Sequence, residues 1–482
     1  MYIGIDLGTS GVKALLIDAD QQIIGSAEAA LSVSRPHSGW SEQAPDDWID
    51  AAGKAVSALA AEHPGQMPGV RGIGLSGQMH GATLLGSDGK PLRPCILWND
   101  TRSHVEAAEL DADPDFRAVS GNIVFPGFTA PKLVWVARNE PEVFERTAKV
   151  VLPKDYLRLW LTGEHVSEMS DAAGTSWLDT GGRRWSQTLL EKSGMSLGQM
   201  PRLVEGSEIS GNLRGELCAK WGMGESVAVA GGAGDNAASA IGMGVLREGQ
   251  AFVSLGTSGV LFAANDGFRP RPESAVHAFC HAVPDTWHQM GVILSATDSL
   301  QWLAGITGRD ASQLTGELGE ELVAPGGTVF LPYLAGERTP HNDASVRGAM
   351  MGISHATGTV ELTRAVLEGV AFALKDNLIA LGKAGTRLDR VTAIGGGSRS
   401  AYWLKLIATV LGIPVDEPQA GEVGAAFGAA RLGLIAAEGA DPGEVAMPPV
   451  TARTHEPVSE LADAFDAAYE RFRNLYPAIS DV

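Results

Sequence analysis

Short apolar runs divided by glycine-rich turns open the chain, and an apolar stripe at helical spacing follows them. Residues 2–5, 12–17 and 22–27 each read as a brief strand, separated by Gly-Thr-Ser-Gly and Asp-Ala-Asp-Gln turns. Over 47–63, Trp48, Ile49, Ala52, Val56 and Leu59 recur on one side of a helix. Residues 70–75 make the next strand, which runs into the loop from Ser76 to Gly81, and 80–85 return as another strand. From 105 to 225, helical stretches alternate with Trp- and Pro-rich loops; this region reads as an insertion carrying the substrate end of a cleft. A buried strand at 227–230 then enters a glycine-rich loop ending in Asp235 and Asn236, ahead of a small-residue helix over 237–244.

The second half repeats the scheme. Strand hairpins span 250–264, a long amphipathic helix spans 360–381, and a strand at 390–394 enters Gly395, Gly396 and Gly397 before a helix holding Trp403, Leu404 and Ile407. A small-residue helix from Gly421 to Gly428 echoes 234–238, and two such helices can cross closely and slide at a hinge. Beyond 436 the composition turns Ala-, Pro- and Glu-rich, and the final helix at 459–476 is expected to be peripheral.

The string LGTSGV stands at 7–12 and again at 255–260, each time ending a β-like run. At 482 residues the chain exceeds one core, so the repeat predicts two α/β halves, 1–246 and 247–482, facing across a cleft. The copies differ in one informative place: Asp6 precedes the first Leu-Gly-Thr and Ser254 the second. One loop offers a carboxylate and the other only N–H and hydroxyl donors, which is the asymmetry a metal-bound polyphosphate needs. Lys13, one residue past the first loop, suits either a phosphate contact or a solvated strand end.

Charge narrows the partners. A formal net charge of −20 argues against nucleic acid and anionic membranes, which demand a basic face. The three cysteines, Cys95, Cys218 and Cys280, are far apart and form neither a disulfide framework nor a zinc motif. With a strand at the first residues and no long apolar stretch, the expected location is the cytoplasm.

Two tempting motifs fail on context. Gly72, Gly74 and Gly77 satisfy GxGxxG, yet they sit inside a strand rather than between a strand and a helix, so a dinucleotide site is not expected. His277, Cys280, His281 and His288 do not match zinc spacing and read as structural. Asp235 has two compatible readings: a helix N-cap contributing about 1 kcal/mol, or a carboxylate at the mouth of the cleft beside substrate hydroxyls.

Taken together, MYIGIDLGTSGVKALLID at the start, GLSGQMHGATLL at 74–85, PCILWNDTRS at 94–103, PKDYLRLWLTGE at 153–164, SDAAGT at 170–175, AGGAGDNAAS at 230–239 and FLPYLAGERTPH at 330–341 resemble the FGGY family of carbohydrate kinases, in particular its xylulose-kinase branch. The resemblance runs end to end. It implies two ribonuclease H-like domains of the actin and hexokinase type with the active site between them. It further implies that Asp235 is the catalytic base, with Asn236 beside it, and that Asp6 positions magnesium and the phosphates of ATP. Gly8, Thr9 and Ser10 would line that loop, Gly256 and Thr257 would close from the other side, and Gly396, Gly397, Ser400 and Gln301 would face the adenosine. Met79 and His80 would contact the sugar, with Trp98, Asp100 and Arg102 as outer pocket walls. Ala233 departs from the family pattern within the Gly231–Asp235 loop. The implied reaction is ATP-dependent phosphorylation of D-xylulose to D-xylulose 5-phosphate; a kinase for ribulose, glycerol or another polyol, and a non-catalytic actin-like sugar sensor, are the alternatives. A homodimer is compatible with this reading, with 105–225 the region to support it.

Overall fold

The computed structural model describes residues 1–419 and 424–480. Two seven-stranded mixed sheets form the frame, and they share one plan. In the first, Ile23–Ala30, Gly11–Ile17 and Tyr2–Leu7 make an antiparallel meander. Gly72–Gly77 and Ala228–Ala230 then run parallel to Tyr2–Leu7, and Ile209–Asn212 closes the edge antiparallel. In the second, Trp287–Ile293, Gly259–Asn265 and Ala251–Leu255 make the meander, Val391–Ile394 and Val415–Pro418 run parallel, and Thr451–His455 closes antiparallel. Each LGTSGV copy joins equivalent meander strands, so the repeat in letters is a repeat in topology.

Helices Pro45–Glu62 and Thr359–Lys383 are the corresponding crossovers. The first buries Trp48, Ala52, Val56 and Leu59 of the expected stripe, while Ile49 is only half-buried at its edge. A third helix, Ala425–Glu438, comes late in the chain but lies against the first sheet. The sheet accepts it because glycines make a groove: a Cβ on Gly4, Gly72 or Gly74 would overlap the carbonyl oxygens of Ala426, Gly433 or Ala429. The GxGxxG spacing is therefore a helix-docking surface. Gly428 of that helix in turn lets helix Asp235–Met243 cross closely, since a Cβ there would overlap the oxygen of Ala238. Residues 421–423 of the small-residue run expected from Gly421 lie outside the described residues.

Two expectations need correction. Residues Thr83–Leu85 are a strand, but they pair with Lys149–Val151 in a separate two-stranded sheet. The chain has left the main sheet at His80, whose φ is +69°. The C-terminal segment is not peripheral either. Thr451–His455 is an edge strand of the second sheet, and helix Ala462–Ile479 sends Phe465, Ala468, Tyr469 and Phe472 into its core. The composition hid an i, i+3, i+4, i+7 stripe. The 105–225 region, meanwhile, binds the halves together: Ile123, Phe125, Phe128 and Ala172 pack with Phe252, Phe262 and Phe279. Among the described residues no helix is long and apolar enough to cross a membrane.

Candidate active site

Three parallel strands end side by side. Asp6 pairs with Ser76, and Ser76 with Ala233, so the buried Ala233 extends the row and delivers Asp235 to the same edge. With a strand spacing of about 4.8 Å, the strands of Asp6 and Asp235 lie about 10 Å apart. This is the carboxyl edge, where open α/β sheets bind ligands. Asp235 is the first residue of its helix rather than the cap, a place taken by Gly234. Its Oδ1 accepts from the backbone N–H of Asn236 at 2.7 Å and from Asn236 Nδ2 at 2.9 Å. The other oxygen has no partner among the described residues and is not sealed off. Burial and then the charge of Asp6 push the Asp235 carboxyl up to about 6, so the two carboxylates feel one another across a shared gap. Burial also raises Asp6, opposed only in part by Ser76 and Lys13. Its Oδ1 is buried with no hydrogen-bond partner among the described residues.

His80 and Met79 lie just past the middle strand of the row. The positive φ of His80 is a strained conformation for a non-glycine residue, held because its carbonyl accepts from Thr129 Oγ1 at 3.1 Å and Lys132 Nζ at 2.9 Å. The ring is fixed as well. Its Nδ1 donates to the Gly174 carbonyl at 2.7 Å, and its face stacks on Phe128 at 4.5 Å. Burial pushes the imidazole down to about 3, so it is neutral at working pH and presents Nε2 as an acceptor for a hydroxyl. Lys132 is fully buried, and burial pushes it down to about 7; its ammonium holds two carbonyls, those of His80 and Gly127.

The two LGTSGV turns are anchored differently. In the first, Gly8 N–H closes the turn on Gly11, while Thr9 Oγ1 donates to Gln78 at 2.9 Å and accepts from Trp98 Nε1 at 3.0 Å. Gln43 Nε2 adds a bond to the Thr9 carbonyl. The Thr9 hydroxyl and the Gly8 N–H are thereby committed to the scaffold, leaving the exposed Ser10 for a ligand. Lys13, paired across the sheet with Asp6, approaches Glu28 at 3.4 Å. In the second turn, the Gly256 and Thr257 carbonyls accept from the N–H groups of Thr297 and Ala296, which ties the turn to helix Thr297–Thr307. Gln301 of that helix, with Gly396, Gly397 and Ser400, lines a cavity of about 1500 Å³ in the second half. Gly397 is a glycine for packing reasons, since a Cβ would press on Leu255 and Trp403. Ser400 Oγ caps the helix Ala401–Leu411.

This arrangement has relatives. The family model described as the N-terminal domain of the FGGY family of carbohydrate kinases matches residues 1–242, and the C-terminal domain model matches 251–437. The chain belongs to the FGGY family of carbohydrate kinases. It is 48% identical to the xylulose kinase of Escherichia coli K12, covering 99% of this chain and 98% of that one. Among solved structures, a xyloylose kinase from Brucella ovis superposes with a TM-score of 0.98 at 66% identity, covering 99% of both chains. The xylulose kinase of Rhodospirillum rubrum gives a TM-score of 0.91 at 30% identity, covering 99% of this chain and 98% of that one.

Within this FGGY kinase, some residues singled out from the sequence serve elsewhere. Asp100 and Arg102 are not free pocket walls. Their side chains form a buried pair, with Arg102 also reaching Glu42 at 2.8 Å and lying over Trp40 at 3.5 Å, and Asp100 accepting from Ser41 N–H at 2.6 Å. Trp98 stands half exposed over the first turn. His281 and His288 are tied to the Val245 carbonyl and the Phe262 ring, as structural histidines are. Sequence reading missed Gln43, Gln78, Lys132 and the buried charges behind the Asp235 loop. There, Ser170 Oγ accepts from Gly234 N–H at 3.1 Å and donates to Glu168, while Arg158 bonds the Gly231 carbonyl. The motifs around 153–164 and 170–175 were the available signal.

Proposed function

We propose that the protein transfers the γ-phosphoryl group of ATP to the 5-hydroxyl of D-xylulose, giving D-xylulose 5-phosphate and ADP. The observation that carries the reading is the Asp235 carboxylate, which has one oxygen free, is raised to about 6, and shares a gap with Asp6 beside the fixed acceptor of His80. Phosphoryl transfer needs placement, charge neutralisation and a proton acceptor rather than covalent catalysis. Asp235 takes the proton of the sugar hydroxyl as the new O–P bond forms. His80 Nε2 and the Met79 neighbourhood orient the sugar, the N–H groups of the two turns hold phosphate oxygens, and the large cavity lined by Gln301 and Gly396 receives the adenosine. Closing the halves on one another excludes water, the competing nucleophile. The naming of the relatives as xylulose kinases at 48% identity supports D-xylulose as acceptor.

The orphaned oxygen of Asp6, and the rise its charge causes in Asp235, fit a divalent cation between them. No group of three or more His, Cys, Asp or Glu stands together among the described residues, so magnesium held by Asp6 would take its other ligands from phosphate and water. Bound there, it neutralises phosphate charge. ATP as a substrate and three buried free thiols support a cytoplasmic location.

Coupled detection of ADP over D-xylulose, D-ribulose, glycerol and other polyols should give D-xylulose the highest kcat/KM; a clear preference for another acceptor overturns the assignment. In Asp6→Asn, the magnesium concentration for half-maximal rate should rise markedly. The acid limb of the pH–rate profile should also move to lower pH, because the negative charge that raises Asp235 is gone. An unmoved limb together with an unchanged magnesium requirement would dismiss the role of Asp6.

A further inference from the structure

One basic side chain from the second half, Arg338, lies among the rings beside His80, where its charge is felt by that imidazole, and makes no salt bridge among the described residues. Arg338 lies in a segment fixed from several sides: Thr339 N–H donates to the Val292 carbonyl at 3.0 Å, Val292 N–H donates to Thr339 Oγ1 at 3.1 Å, and that hydroxyl donates to the Ala275 carbonyl at 2.9 Å. Its guanidinium lies over Phe125 at 4.4 Å; Phe125 meets Phe128 at 5.5 Å, and Phe128 carries the His80 ring. Nη1 is 3.4 Å from His277 Nε2. Among the described residues no carboxylate oxygen comes within the 4.0 Å of a salt bridge. Glu337 is adjacent, but its Oε1 accepts from the N–H groups of Arg338 and Leu294. Burial pushes the Glu337 carboxyl up to about 8, opposed in part by the charge of Arg338, and its oxygens make no salt bridge with that guanidinium. Arg338 itself keeps its charge. The guanidinium nitrogens are not among the sealed, unpartnered polar atoms, so N–H groups remain that a ligand can reach.

We propose that Arg338 reads the carbonyl end of the ketose, donating to the C2 oxygen while Asp235 serves the hydroxyl at the opposite end; this rests on the kinase reading above. A guanidinium has five donors and no acceptor. The hydroxyls of a sugar can donate as well as accept, whereas its carbonyl oxygen only accepts, so the carbonyl is the partner that wastes none of its hydrogen-bonding capacity. A donor from the second half also links acceptor binding to closure: the sugar touches His80 and Asp235 on one side and Arg338 on the other. The side chain is held before substrate arrives, by the Phe125 face and the pinned backbone, which spares ordering cost on binding.

The test compares D-xylulose with xylitol, the pentitol lacking the carbonyl. Arg338→Met keeps an unbranched stem over Phe125 and removes every donor, and Arg338→Lys keeps charge without the planar fork. For Arg338→Met, KM for D-xylulose should rise about 10- to 100-fold, the range for a lost charge-assisted hydrogen bond. KM for ATP should hold, and the preference for ketose over pentitol should collapse. Arg338→Lys should fall between, and it decides the matter alone should the Met variant not fold. Equal losses on both acceptors, or a lower kcat with unchanged sugar KM, overturn the proposal; the second result would mark a phosphoryl contact instead. A parent enzyme inert on D-xylulose would sink the function itself, whereas an active parent with indifferent Arg338 variants sinks only this inference.

Discussion

Asp235→Ala should lower sugar phosphorylation by about 10²- to 10⁴-fold, the usual contribution of a general base, while ATP binding measured by calorimetry changes little. The nucleotide is expected to be held by turn N–H groups and by the cavity lined by Gln301 and Gly396, in the other half of the chain. Asp235→Asn is the sharper variant. It keeps size and polarity at the start of helix Asp235–Met243 and removes only the proton acceptor, so its loss should match that of alanine. In the parent, kcat/KM for the sugar should fall as pH drops through about 6, since the base works only when ionised and its carboxyl is raised to that value by burial and by Asp6. Near-normal turnover by either variant, or a flat profile between pH 5 and 7 in the parent, removes Asp235 from the mechanism.

What the chain's letters reveal about this site depends on how local the physics is. Asp6 and Asp235 were legible because each ends a short apolar run at a glycine-rich loop, and the LGTSGV repeat announced that two such edges exist. That the two halves share one plan followed from the same repeat, whereas the order of strands within each sheet did not. Lys132, Gln78 and Arg338 were opaque, because each is placed by a contact 52 or more positions away: Lys132 with His80, Gln78 with Thr9, and Arg338 with His277 and Phe125. Gln78 and Arg338 stand inside two of the quoted motifs, GLSGQMHGATLL and FLPYLAGERTPH, but the letters around them do not give their partners. Asp100 and Arg102 show the opposite error. In a Trp-containing loop they look like walls of a polar pocket, but burial turns them on each other and on Glu42, and burial is a property of the whole fold. The Thr9 hydroxyl is likewise engaged by Trp98 and Gln78, partners that the LGTSGV letters do not reveal. The C-terminal helix was undervalued because composition averages over faces, whereas its core contact is carried by four residues on one of them.

The glycines of the first sheet lead to the other large effect. Gly74→Val should destabilise the protein by about 3 kcal/mol or more, at or beyond the upper end for overpacking a core, and should lower soluble yield. The reason lies in what the new side chain meets. At Gly74 a Cβ would overlap the backbone oxygen and carbon of Ala429 and press on the nitrogen of Gly433. These are main-chain atoms of a helix, with no rotamer by which to withdraw. Helix Ala425–Glu438 would have to lift from the sheet, uncovering Ala426, Ala430 and Leu434. It would also disturb its crossing with helix Asp235–Met243, where Gly428 meets Ala238, and so displace Asp235, the proposed proton acceptor. Activity per folded molecule should therefore fall along with the melting temperature. Gly382→Ala is the control: nothing lies within 4 Å of its Cβ position in the helix Thr359–Lys383, so stability should hold or rise by up to about 1 kcal/mol. Urea denaturation of both variants decides the point. A Gly74→Val protein as stable as its parent would mean the sheet can take a side chain there, and the glycine groove would no longer explain how a late helix of the chain comes to support the first half of the site.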